Sequence, residues 1–263
     1  MEKSNLAIVT GINGAVGMGY AKAMIERGDS RVVGIGRREA HIDSKDFENI
    51  SQVDLLDEEN TRNAVEGIRH GAHKRVVLIH PIGKFKWEEE PPKGDEIDQE
   101  VFASNVTTFT NVLDPVLAMV RRMQNASLGL VMFGSVADKW NLPFIQSYTR
   151  SNNALRKVLE DTIRGNPDLR ITATSLDLGT IDVGSERNLR PYADRKFWLT
   201  VEDLVAKSMP FILPDNEDVE QDSGVLRRVE IFKPKPGFDP SRYYPNHGLV
   251  QRVLHEEMGI NKE

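Results

Sequence analysis

Thr10-Gly11-Ile12-Asn13-Gly14-Ala15-Val16-Gly17-Met18-Gly19 follows directly on the β-branched run Leu6–Thr10 and opens a stretch of helical spacing over Ala15–Arg27. Its placement gives it meaning. Glycine at 11 permits a tight turn, glycine at 14 lets backbone approach a pyrophosphate, and glycine at 17 lets the new helix pack close against its strand. The unpaired N–H groups and the dipole of that helix attract the anion. A bare strand-to-helix turn does not need three glycines at this spacing, because each costs conformational entropy. Thr10, Gly11, Asn13, Gly14, Ala15, Val16 and Gly17 are therefore expected around a dinucleotide. The next run ends Val32-Val33-Gly34-Ile35-Gly36-Arg37-Arg38. An acidic residue there would accept the adenosine ribose hydroxyls of NAD, whereas arginine complements a 2′-phosphate by charge and fork geometry. Arg37 and Arg38 thus predict NADP(H). Asp54 and Leu55, just past a third run, stand where the adenine edge is met or where a turn simply begins.

The rest of the chain has the same rhythm. β-Branched runs at Leu6–Thr10, Arg31–Gly36, Ile50–Val53, Arg75–His80, Gly129–Gly134, Arg170–Leu176 and Val225–Phe232 alternate with helical stretches at about Ala15–Arg27, Glu58–Arg69, Ile97–Gln124, Ile145–Arg164 and Val201–Leu213. That alternation predicts an α/β fold: one Rossmann-like, doubly wound parallel sheet of about seven strands with helices on both faces, forming a single domain over residues 1–263. Gly28, Gly71 and Gly165 stand where helix C-termini favour them. Two excursions interrupt the pattern, Lys84–Glu96 with its acidic Glu88-Glu89-Glu90 run, read as a solvated loop, and Gly179–Thr200, long enough to be a substrate loop. A C-terminal extension, 233–263, closes the chain, helical in pattern from about His247.

Composition narrows the function classes. The 263 residues are 39% hydrophobic, enough for a sizeable core, and 34 Lys+Arg against 40 Asp+Glu give a formal charge of −6. That balance argues against nucleic acid or an anionic membrane surface as partner. No cysteine is present, which removes disulfides, thiolate nucleophiles and Cys-ligated metal, and fits a reducing compartment. His41, His70, His73, His247 and His255 form no metal-ligand spacing, so no metal is expected. No apolar run approaches the roughly 20 residues that span a bilayer, and Met1–Asn5 leads straight into the first strand with no signal-peptide core. The expected location is cytoplasmic.

Chemistry-bearing residues gather in the second half: Asn105 in Ser104-Asn105-Val106, Ser135 after the fifth run, and Tyr148 thirteen residues further on. With the TGxxGxxG turn, the paired arginines and Asp54, this constellation resembles the short-chain dehydrogenase/reductase superfamily over roughly Leu6–Phe232. The resemblance implies that Tyr148 is the general acid/base at a carbonyl or alcohol and that Ser135 hydrogen-bonds the same oxygen. It implies that Asn105 holds a water in a proton relay. It further implies cofactor contacts from His80, Pro81 and Gly83 after the fourth strand and from Gly179, Thr180 and Ile181 after the sixth, and a homodimer or homotetramer built through Ile97–Gln124 and Ile145–Arg164. Hydride transfer needs a proton donor within reach of the reacting oxygen and a second donor that polarises it, which these residue types supply.

The departures from that pattern carry information. One helical turn after the tyrosine the family places a lysine that lowers the phenol pKa and grips the nicotinamide ribose, whereas this chain has Tyr148-Thr149-Arg150-Ser151-Asn152. Asn152 bonds ribose hydroxyls but brings no positive charge. A tyrosine of ordinary pKa near 10 is then a poor base at neutral pH, and reduction, in which it donates, suffers less than oxidation. The strand-four motif reads His80-Pro81-Ile82-Gly83, and Leu178-Gly179 stands where Pro-Gly is usual. Lys84, Lys139, Arg150 and Arg156 are the nearby cations, each read first as a surface charge. Trp140, Tyr192, Phe197, Trp198, Tyr243 and Tyr244 fall where a pocket wall is expected. The expected function is an NADP(H)-dependent oxidoreductase working on a small carbonyl or alcohol, in the reductive direction. The missing lysine keeps two others open: an NADP(H)-binding sensor or scaffold, and a lyase or isomerase of the same fold.

Overall fold

A computed structural model describes residues 3–90, 92–94, 96–123, 125–214, 223–233 and 235–260. Pro91 and Asp95 of the acidic excursion, Pro234 and the last three residues of the extension lie outside the described residues. Seven parallel strands form one sheet: β1 (Asn5–Thr10), β2 (Ser30–Ile35), β3 (Phe47–Ile50), β4 (Arg75–His80), β5 (Ser127–Ser135), β6 (Ile171–Leu178) and β7 (Leu226–Ile231), in the order β3-β2-β1-β4-β5-β6-β7. The predicted third strand, Ile50–Val53, is displaced toward the N-terminus. Phe47–Ile50 pairs with Val32–Ile35, and the chain then turns at Gln52, whose φ is 62°. The helices are α1 (Ala15–Arg27), α2 (Glu58–Glu66), α3 (Gln99–Phe102), α4 (Thr108–Arg122), α5 (Gln146–Gly165), α6 (Gly184–Leu189), α7 (Val201–Ile212), α8 (Pro240–Tyr243) and α9 (His247–Met258).

Both faces of the sheet are covered, which is why its central strands are continuous apolar runs rather than alternating ones. Leu6, Ile8, Val76 and Leu78 point to a layer containing Phe109, Val112 and Val116 of α4 and Leu155 and Leu159 of α5. Ala7, Val9, Val77 and Ile79 point to the other, against Tyr20 and Met24 of α1 and Leu204 and Ile212 of α7. Each fully buried side chain of this size contributes about 1.5–3 kcal/mol. Gly28 caps α1 in the left-handed conformation with φ 82°, as expected, but the other two helix ends differ. Gly67 caps α2 in place of Gly71, and Asn166 follows α5 because Gly165 is still helical. Glu88 corrects the reading of a solvated acidic run: it is buried and its carboxylate accepts the Ser147 N–H at the start of α5, at 3.2 Å.

Strand order reverses between β1 and β4, and the crevice at their carboxyl ends is where open α/β sheets bind ligands. The glycine turn and Pro81–Gly83 both emerge there. No helix among the described residues is long and apolar enough to cross a membrane, and no cluster of three or more metal-ligating side chains occurs among them.

Candidate active site

The first wall of the site is the glycine turn. Gly11 has φ +59°, and a Cβ on Gly17 would sit 2.5 Å from the Gly11 carbonyl oxygen, so backbone meets backbone with no side chain to yield. Gly14 is the N-cap of α1 without any side-chain cap, leaving the first-turn amides of the helix open on an exposed Gly14-Ala15 corner. Such a corner fits a pyrophosphate. Asn13 does something else: its amide donates to the carbonyls of Arg38 and Glu39 at 3.0 and 3.1 Å and accepts the Arg38 N–H at 3.2 Å. It staples the end of β2 to the turn. Arg37 and Arg38 are exposed beside that staple, and among the described residues neither forms an ion pair. The corner thus carries two exposed guanidinium groups, a charge pattern that suits an anion. The Asp54 carboxylate is exposed and accepts the Leu56 N–H at 3.1 Å, beginning a turn, while Leu55 is buried with its carbonyl held by Asn111 at 2.9 Å.

His80 lies behind the turn rather than on the crevice. Its ring is buried, with Nδ1 2.8 Å from the Thr10 hydroxyl and Nε2 3.0 Å from the Thr108 hydroxyl. Thr108 donates to the Ser104 carbonyl at 2.7 Å, so His80 donates through Nε2 and receives the Thr10 proton at Nδ1. Thr10 itself is fully buried, its hydroxyl spent on this chain. Burial pushes the His80 pKa from 6.5 down to about 3. The sign follows: the unfolded ring takes up a proton below 6.5 and the folded ring does not, so His80 favours folding above 6.5 and that contribution is lost as pH falls toward 3. Stability of the wild type is expected to fall by up to about 1.4 kcal/mol per pH unit below that point. His80→Gln is expected to flatten the slope in urea melts taken across this range.

A cavity of about 790 Å³ opens at the carboxyl edge, and Val16, Gly83, Ser135, Tyr148, Asn152 and Gly179–Ile181 all line it. Tyr148 and Asn152 sit one turn apart on α5 and Ser135 ends β5, so helix spacing and strand length bring the three together. The spacing Ser135-Val136-Ala137-Asp138 is a capping box that starts the 3₁₀ turn Val136–Trp140. Ser135 Oγ accepts the Ala137 N–H at 3.1 Å, which leaves its hydroxyl proton to donate. Asn105 stands elsewhere. It lies in a π-helical turn, Ala103–Thr107, and is buried, donating to the Lys84 carbonyl at 3.2 Å and to Ser151 Oγ at 2.8 Å. It braces the Pro81–Lys84 loop against α5, and it is absent from the cavity wall. Its π-turn is a local signature of functional helices that spacing alone did not show.

Of the four nearby cations, two form surface ion pairs, Lys84 with Glu100 and Lys139 with Glu230, and Arg150 is bonded to Gln146 and the Glu96 carbonyl. Arg156 is the exception and corrects the surface reading. Its side chain is buried, donating to Asp138 Oδ2 at 2.6 Å and Asp177 Oδ1 at 2.7 Å. Arg228 holds the other oxygen of Asp177, and Asn152 Nδ2 is 3.2 Å from both oxygens of Asp138. The spacing 148, 152, 156 puts Arg156 on the Tyr148 face, and Asp177 is the one charge in β6; both were readable signals. Burial and then the Asp138 charge hold the Tyr148 phenol above its usual pKa, with Asn152 pulling the other way.

The far wall comes from the Lys84–Glu96 and Gly179–Thr200 excursions, the Val136–Trp140 turn and the C-terminal extension. Trp140 stacks on Tyr244 at 5.9 Å and Phe85 meets Tyr148 edge-on at 5.6 Å. Phe197, Trp198 and Tyr243 also line the cavity, whereas Tyr192 is 74% exposed and stays outside. Arg190 ties the wall together: it donates to Thr180 Oγ1 and Glu186 at 2.8 Å, reaches Glu257 of α9 at 3.3 Å and lies 4.9 Å over Trp198.

No family model matches this chain, and no curated protein does. Solved structures do. A short-chain dehydrogenase from Burkholderia cenocepacia in complex with NADP is 16% identical, covers 99% of each chain and superposes with a TM-score of 0.68. The aldohexose dehydrogenase of Thermoplasma acidophilum is 14% identical over 87% of this chain and 93% of its own, with a TM-score of 0.68. A short-chain type dehydrogenase/reductase from Mycobacterium ulcerans is 18% identical over 87% and 89%, at 0.66. At these identities the likeness defines the fold: a Rossmann-like sheet of the kind short-chain dehydrogenases use.

Proposed function

We propose that this protein is an NADP(H)-dependent oxidoreductase of the short-chain dehydrogenase/reductase type that reduces the carbonyl group of an apolar, aromatic-sized compound. The observation that carries the reading is the single cavity shared by Ser135, Tyr148 and Asn152 with the loops that follow β1, β4 and β6. NADPH, when bound, supplies the hydride to the carbonyl carbon. Its pyrophosphate fits the uncapped start of α1 and its 2′-phosphate fits Arg37 and Arg38. Ser135 donates its hydroxyl proton in a hydrogen bond to the substrate oxygen, and Tyr148 transfers a proton to that oxygen as negative charge develops. A phenol held above its ordinary pKa stays protonated, which suits donation and disfavours abstraction. The aromatic far wall suits a flat apolar substrate. The reading is tested by incubating the protein with NADPH deuterated at the transferable position and a panel of aryl ketones and aldehydes. Deuterium on the carbinol carbon of a product is expected. NADPH binding with no deuterium transfer to any carbonyl favours a cofactor-binding sensor, a reading that the amide of Asn152, tied to Asp138 in place of a free lysine, keeps in view.

Exchange of both Arg37 and Arg38 for alanine removes charge-assisted contact to the 2′-phosphate worth about 1.5–3 kcal/mol in all. The NADPH dissociation constant is expected to rise about 10- to 100-fold while that for NADH moves by less than about twofold. Calorimetric titration of both cofactors reads this directly.

A further inference from the structure

We propose that Lys233 and Lys235, on the segment that leaves β7, form an anion subsite in the wall of the cavity, so that the substrate is a ketone with an apolar body and a carboxylate remote from the reacting carbonyl. The inference deepens the oxidoreductase reading above and rests on it. Its basis is which charges around the cavity are already matched. Lys84, Lys139, Arg190, Lys233 and Lys235 are the cations among the described residues that line it. Lys84 pairs with Glu100, Lys139 with Glu230, and Arg190 with Glu186 at 2.8 Å and Glu257 at 3.3 Å. Asp194, the remaining carboxylate of the wall, is held by Lys196 at 3.3 Å. Lys233 and Lys235 form no ion pair among the described residues. In a chain of net charge −6, two unmatched cations at one cavity are a local feature and not a general one.

The local chain presents them together. Each lysine precedes a proline in Phe232-Lys233-Pro234-Lys235-Pro236, a context that favours extended backbone, and residues two apart on an extended chain share a side. Lys235 Nζ lies 5.6 Å from the ring centroid of Phe197, which itself lines the cavity, so an aromatic face holds the ammonium there. Both lysines are exposed, and a carboxylate that meets them keeps part of its hydration and escapes the full cost of burial. The reacting end is different: the buried Leu142 and Ile145 and the half-buried Phe85 line the cavity and pack with Tyr148. An apolar body therefore fits between the Ser135 and Tyr148 hydroxyls and the two ammonium groups. Arg190, the one arginine of the described wall, is committed to its own pairs, which leaves no guanidinium fork for a phosphate and makes carboxylate the anion that fits.

The test uses the full chain with NADPH and two matched series: ω-benzoylalkanoates with two to five methylenes between ketone and carboxylate, and their methyl esters. For at least one length, kcat/KM for the acid is expected to exceed that for its ester by about fivefold or more, with the difference carried by KM. Lys233→Ala combined with Lys235→Ala should bring that ratio to within about twofold of unity. Lys233→Arg combined with Lys235→Arg should keep it, and raising sodium chloride from about 0.05 to about 0.5 M should shrink it in wild type. The exposure of both side chains makes these variants tests of charge and not of folding. Equal rates for acid and ester at every length, or a preference that survives the double alanine exchange, overturns the proposal. Wild type that reduces no ketone defeats the oxidoreductase reading instead, and calorimetric titration then judges the subsite alone. Binding of the acids in preference to the esters, lost in the double alanine variant, supports it, and no such difference overturns it.

Discussion

Tyr148→Phe is expected to lower kcat for carbonyl reduction by about 10²- to 10⁴-fold, the range a positioned general acid supplies. The phenyl ring keeps its edge contact with Phe85, so the cavity wall and the NADPH affinity should stay as they are. Loss confined to kcat marks an interaction made in the transition state. The wild-type profile carries the complementary sign. Burial and the Asp138 charge hold the phenol above its usual pKa, so Tyr148 stays protonated from about pH 6 to about pH 9 and reduction has no alkaline limb from it there. Oxidation of the product alcohol needs the phenolate and should climb only at pH above that range. Steady-state rates in both directions across this window check the pair of statements together. A Tyr148→Phe enzyme with unchanged kcat removes the phenol from the chemistry.

The second large effect is on stability. Arg156→Leu leaves Asp138 buried with the Ser135 N–H and the Asn152 amide but no cation, while Asp177 keeps Arg228. Breaking a buried pair from one side typically costs about 3–5 kcal/mol, which for a chain of this size lowers the melting temperature by roughly 10 °C. The pH dependence separates lost charge from lost packing. Burial raises the Asp138 pKa above its ordinary 3.8, so the folded chain binds that proton more tightly than the unfolded chain does. Protonation therefore favours folding, fully below 3.8, and the benefit fades as pH rises through the raised value. Without Arg156 the carboxyl is still easier to protonate, and the gap between variant and wild type should narrow as pH falls. Adding Asp138→Asn to Arg156→Leu removes the stranded charge and should recover much of the loss in urea unfolding.

What the sequence disclosed follows from the range of the forces involved. The glycine turn, six of the seven strands and the first helix are local consequences of spacing and turn chemistry, and Arg75–His80 and Ala15–Arg27 match residue for residue. β3 slipped because its four residues are all half-buried at a sheet edge, where Phe47-Glu48-Asn49-Ile50 shows no apolar run. His80 and Asn13 were visible as residue types at the right edge, but whether a polar side chain faces ligand or backbone depends on partners some 25 to 70 positions away, as Arg38 is to Asn13 and Thr10 to His80. Arg156 is the instructive case. Its helical register with Tyr148 was legible. Its burial was not, because that depends on a glycine in β5, a carboxylate in the following turn and another in β6 meeting at one point.

The central claim is that the chain binds NADP(H) at the carboxyl edge of the sheet, and the most direct test is an equilibrium titration of the purified protein with NADPH and, separately, NADH. All three tryptophans, Trp87, Trp140 and Trp198, line the cavity, so their fluorescence reports its occupation. Saturable quenching by NADPH, at least about tenfold tighter than by NADH, is the predicted result. Equal affinity for the two would remove the 2′-phosphate role of Arg37 and Arg38, and no saturable binding of either would contradict the account and leave a dehydrogenase fold put to another use.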